Sequence, residues 1–100
     1  MKIRFYSTFR EHTGCASLQL DITESSTIKQ VIDHLVEIKP QLRRLWFNKN
    51  GDLHGHVHIT LNQVDIFSIG EGLETQVKQD DVLDFFPPIS GGISNVEQPV

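Results

Sequence analysis

Val82-Leu83-Asp84-Phe85-Phe86-Pro87-Pro88-Ile89-Ser90-Gly91-Gly92 is a strand that runs into two prolines and a diglycine. Residues 82–86 alternate, with Leu83 and Phe85 on one face, and read as the last strand of a half-buried sheet. Pro87 and Pro88 end the hydrogen-bonding ladder and stiffen the segment that leaves it. Gly91 and Gly92 lack Cβ atoms and so pass through a narrow channel without steric conflict. Eight further residues, 93–100, come after the diglycine.

A last strand needs partners, and the chain supplies them upstream. Met1, Ile3 and Phe5 alternate with Lys2, Arg4 and Tyr6, and Leu18, Leu20 and Ile22 alternate again. These segments, roughly residues 1–7 and 17–23, read as an opening hairpin with a long connection that turns at Thr13-Gly14. The period then changes: Ile28, Val31, Ile32 and Leu35 line one face of a helix over 28–38. Thr27 and Gln30 are spaced for a capping box, with Ser26 a competing cap, and Pro40 forbids easy continuation. Leu42 to Trp46 reads as a short helical turn. Val57, Ile59 and Leu61 form another strand, Asn62-Gln63 a turn, and a short strand is expected near residue 66. One main helix packed on one face of a mixed sheet is an α+β arrangement, with the first and last strands as a central parallel pair.

The bulk numbers set limits. One hundred residues make one domain with one modest core. No apolar run is long enough to span a bilayer and no signal peptide is read, so a cytoplasmic location is expected, without membrane contact. A single cysteine, Cys15, makes neither an internal disulfide nor a thiolate cluster. The net charge of −4, with cations scattered except for Arg43-Arg44, argues against nucleic acid and for a basic docking surface on a protein partner.

The opening Arg4-Phe5-Tyr6-Ser7-Thr8-Phe9-Arg10-Glu11-His12-Thr13-Gly14 resembles the first strand and loop of the MoaD/ThiS family, the ubiquitin-like (β-grasp) sulfur carriers. The segment from Leu73 to Val77, then Asp81, Leu83 and the octet Phe85 to Gly92, is similar to the family's last third. The resemblance covers residues 1–92 and implies a β-grasp domain there, with 93–100 a flexible C-terminal extension. It also implies a mechanism. An adenylating enzyme of the MoeB/ThiF type spends ATP to turn the Gly92 carboxylate into an acyl adenylate, and sulfur from a persulfide donor displaces AMP to leave a thiocarboxylate. The expected role is small subunit of molybdopterin synthase, with the large subunit or another acceptor enzyme receiving the sulfur. Catalytic side chains are expected on those partners, so the carrier is not itself an enzyme and binds no cofactor. On this resemblance Gly92 bears the acyl group, Gly91 gives clearance, and Phe86, Pro87, Pro88, Ile89 and Ser90 face the partner. The alternatives are a ubiquitin-like modifier joined through Gly92 to lysines, and a passive β-grasp interaction module.

The chain departs from that pattern in three places. Gln63 and Asp80 stand where turn glycines are common, and residues 93–100 deny Gly92 a free carboxyl. Removal by a JAMM-type or similar protease is the favoured reading; cloning or annotation debris and loss of carrier chemistry are the others. Outside the tail, His54, His56 and His58 alternate on a strand, but i and i+2 side chains stand nearly parallel and converge poorly on one ion, so a solvated face without metal is expected. Cys15 is read as an inert loop or edge cysteine, Trp46 and Phe47 as packing groups, and most of Glu11, Asp80, Asp81 and Asp84 as acidic turn residues.

Overall fold

The computed structural model describes residues 1–23, 25–55 and 57–87. Five strands form one mixed sheet: β1 (Lys2–Phe5), β2 (Ser17–Gln19), β3 (His58–Leu61), β4 (Val64–Asp65) and β5 (Val82–Phe86). Their spatial order is β2-β1-β5-β3-β4. β1 and β5 are parallel, with Ile3 beside Leu83 and Phe5 beside Phe85, and both flanking pairs are antiparallel. The central parallel pair is the one expected from the sequence.

Three helices cover that face: α1 (Thr8–Thr13), α2 (Ile28–Ile38) and α3 (Gln41–Trp46). α2 has the bounds read from the sequence and its capping box is formed. Thr27 Oγ1 accepts from the Gln30 amide at 3.3 Å, and Gln30 Oε1 accepts from the Thr27 amide at 2.9 Å. Ile28, Val31, Ile32, Leu35 and Val36 enter the core, where they meet Ile3, Phe5, Ile59, Leu83 and Phe85. Trp46 is wholly buried, stacks on Phe85 at 4.4 Å and receives the edge of Phe9 at 5.8 Å. Trp46 thus anchors α3 over the end of β5.

The structure amends several expectations. The connection from β1 to β2 is not a plain loop, because Phe9 and Thr13, one turn apart, are both buried, and Phe9 packs α1 on Trp46 of α3. Gly14 closes α1 in the left-handed region at φ 77°. β2 stops at Gln19 rather than residue 23: Leu20 still exchanges backbone hydrogen bonds with Met1, at 2.8 and 2.7 Å, and beyond it the Ile22 amide donates to Gln79 Oε1 at 3.0 Å instead of to a strand. The strand expected near residue 66 is β4, which ends one residue earlier at Asp65 and gives way to a 3₁₀ turn at Ile66–Ser68. Asp80 is not among the non-glycine residues with positive φ, which among the described residues are Ser7, Asn62 and Gln63.

Candidate functional site

The residues that lead into the tail are fixed by the alternation of β5. Leu83 and Phe85 are fully buried against the helices, so Phe86 must point to the opposite, helix-free face. There its ring stacks on Tyr6, with centroids 4.4 Å apart and planes 16° from parallel. His58, directly opposite Phe86 in the β3–β5 register, meets it edge-on at 5.6 Å. Tyr6 holds its place because its amide donates to the Phe85 carbonyl, extending the parallel ladder one residue beyond β1. The backbone then turns sharply at Ser7, where φ is 56° and ψ −128°, a conformation that strains a residue with a Cβ. The three rings make an aromatic row beside Pro87, at the end of β5.

One step back along the strands lies an ion pair. Arg4 donates to both carboxylate oxygens of Asp84, from Nε at 2.6 Å and from Nη2 at 2.9 Å. It shares the outer face with Phe86, two residues from Asp84 on β5. The Asp84 side chain is 4% exposed and that of Arg4 34%. The hydrogen bond to Asp84 holds the Arg4 guanidinium above its ordinary pKa, outweighing the opposing effect of burial. Thr60, next in register on β3, is buried and its hydroxyl has no partner among the described residues. A fork-shaped pair of this kind fixes the register of β1 against β5 and so the placement of Tyr6 beside Phe86.

Of the residues singled out in the sequence, Phe86 and Pro87 are half-buried at the end of β5. Pro88, Ile89, Ser90, Gly91, Gly92 and residues 93–100 lie outside the described residues, as does His56. His58 is occupied against Phe86. Cys15 is half-buried beside the core, its Sγ 3.8 Å from the Thr13 hydroxyl. Asp81 is a turn residue: its carboxylate accepts from the Lys78 amide at 2.8 Å and from Asn62 Nδ2 at 3.0 Å. Asp84 is not, since it belongs to the sheet-face pair. Among the described residues no group of three or more His, Cys, Asp or Glu side chains is arranged to hold a metal ion. No helix there is long and apolar enough to cross a membrane.

Sequence reasoning missed Tyr6 and His58 as companions of Phe86, and Arg4 as the partner of Asp84. Each contact joins strands far apart in the chain, and the signal that finds them is the strand register.

A mixed five-stranded sheet with a parallel central pair and helices on one face defines a ubiquitin-like β-grasp protein. The chain belongs to the ThiS family, whose model matches residues 3–92. It is similar to small archaeal modifier protein 1 of Haloferax volcanii, 27% identical over 92 residues that cover 92% of this chain and all of that one. The solution structure of small archaeal modifier protein 1 from Methanosarcina acetivorans is 31% identical, with a TM-score of 0.79 over 91% of this chain and 94% of that one. In the crystal structure of the BexX/CysO complex from Amycolatopsis orientalis, the matching chain is 26% identical, with a TM-score of 0.73 over 91% of this chain and 98% of that one. The fold and family expected from the resemblance are therefore those found.

Proposed function

We propose that this protein acts through its own Gly92 carboxyl, as a sulfur carrier activated by adenylation once residues 93–100 have been removed. The observation that carries the reading is the Tyr6–Phe86–His58 row at the root of the tail. It is an aromatic face at the end of β5, and Pro87 and Pro88 come directly after it in the chain. An adenylating partner of the MoeB/ThiF type grips this face and draws Gly91 and Gly92 into its active site. The carboxylate attacks the α-phosphorus of ATP and pyrophosphate leaves; a persulfide sulfur then attacks the acyl carbon and expels AMP. A second thiol then attacks the donor-side sulfur of the remaining S–S bond, which leaves a disulfide on the donor and frees the thiocarboxylate. No side chain of the carrier reacts, so catalytic groups belong to its partners and the carrier itself binds no cofactor. The family resemblance of the octet supports delivery to a molybdopterin precursor, with this chain as the small subunit of the synthase.

A second end use shares every step up to the adenylate: conjugation of Gly92 to lysines of target proteins. The names of the modifier relatives favour it. The two uses separate by product. A chain ending at Gly92, supplied with activating enzyme, ATP, persulfide donor and a thiol reductant, is expected to accumulate thiocarboxylate on Gly92 by mass spectrometry. Isopeptide remnants on target lysines without any thiocarboxylate would assign modification instead, and neither product would leave a passive interaction module.

A further inference from the structure

Between Glu37 and Asp52 the chain has four of its nine cations, Lys39, Arg43, Arg44 and Lys49, and none of its thirteen carboxylates. A protein of net charge −4 thus has one basic segment in an otherwise acidic chain. The fold gathers three of these cations at one place. Leu42 and Trp46 are fully buried and pin α3, which leaves Arg43 and Arg44 exposed. Lys49 sits on a loop closed by Asn48, whose Oδ1 accepts from the amides of Asn50 at 2.9 Å and Asp52 at 3.1 Å. Gln41 Nε2 donates to the His12 carbonyl at 2.8 Å and clamps α1 to α3. Between these parts lies a groove of about 560 Å³, with His12, Arg43, Arg44 and Lys49 around half-buried Leu45 and Phe47.

None of Arg43, Arg44 and Lys49 is in an ion pair among the described residues. Cations are favoured in the last turn of a helix, which accounts for Arg43 and Arg44. It does not account for Lys49 or for the missing carboxylates. We infer that this groove is a second docking surface, which takes an acidic segment of a partner protein with an apolar side chain set on Leu45 and Phe47. Its parts are tied by backbone and side-chain hydrogen bonds before any partner arrives, so little ordering is required on binding. A peptide is favoured over nucleic acid because the isoelectric point is about 5.6 and the rest of the chain repels phosphates. The groove is on the helix side and the aromatic row on the opposite face, so both are open to partners at once. The inference does not depend on what Gly92 carries.

The test is a titration of the ¹⁵N-labelled full chain with a capped peptide of four glutamates around one leucine, beside its all-glutamine counterpart and a single-stranded oligonucleotide. Amide shifts confined to His12, Gln41, Arg43, Arg44 and Lys49 are expected for the glutamate peptide alone. They should vanish near ~1 M salt, where the Debye length falls to about 3 Å. The double reversal R43E/R44E should weaken binding roughly tenfold, with the rest of the spectrum unmoved because both side chains are exposed. Equal shifts with the glutamine peptide, shifts centred elsewhere, or unaltered binding by R43E/R44E would overturn the inference. Tighter binding of the oligonucleotide would replace a protein partner with nucleic acid.

Discussion

Asp84 is almost wholly buried, whereas Arg4 keeps a third of its side chain in solvent, so the two halves of the pair are not equally replaceable. Removing Arg4 strands a carboxylate away from water; removing Asp84 leaves a guanidinium that still reaches it. We expect Arg4→Met to destabilise by about 2–4 kcal/mol and Asp84→Asn by about 1 kcal/mol, read as shifts in urea midpoint. Equal losses would show that Asp84 has another way to shed its charge. Because Arg4 titrates above its ordinary range in the folded protein, its share of the pair's stability is complete below that range and is lost only in strong alkali. Gln63 offers the opposite opportunity. It occupies the left-handed region at φ 72° after Asn62 at 51°, the backbone of a two-residue hairpin turn. Gln63→Gly should raise stability by about 0.5–1 kcal/mol in thermal melts. Asn62 is not equivalent, since its amide group also bridges Asp81 and the Val82 amide.

At the scale of elements, α2 is legible in the sequence because four core positions repeat at helical spacing behind a complete capping box. Thr27→Ala should cost about 1 kcal/mol, measured by chemical denaturation, and the loss reads on α2 because residues 75–77 bind beside it: Thr75 accepts from the Ile28 amide and Val77 donates to Ser26. α1 is not legible. It has six residues and two core contacts, Phe9 and Thr13, set between segments of strand-like alternation, so no periodic signal develops over its length. β2 is shorter than its alternation suggests for a related reason. Leu18, Leu20 and Ile22 do alternate, but the backbone pairing with β1 ends at Met1–Leu20, and a glutamine nearly sixty residues away takes the Ile22 amide. The site divides along the same line. The face that Phe86 occupies comes from alternation within β5, whereas Tyr6, His58 and Arg4 reach it only through a register between strands that the chain order does not state.

At the scale of the whole molecule, the two faces of the sheet differ: the inner face holds the core, and the outer face carries the Tyr6, Phe86 and His58 rings at the end of β5. Phe86→Ala tests that difference. The half-buried ring should cost about 1 kcal/mol of stability while abolishing adenylate formation on Gly92; normal loading of this variant would remove the docking role from the aromatic row. The proposed function requires Gly92 to be a carboxyl terminus in the working protein. Intact mass spectrometry of the chain recovered from its native cells tests it most directly. We expect a mass ending at Gly92, with one carboxyl oxygen exchanged for sulfur in a fraction of molecules. A chain that retains Val100 in every molecule, including when activating enzyme and candidate protease are supplied, would contradict it.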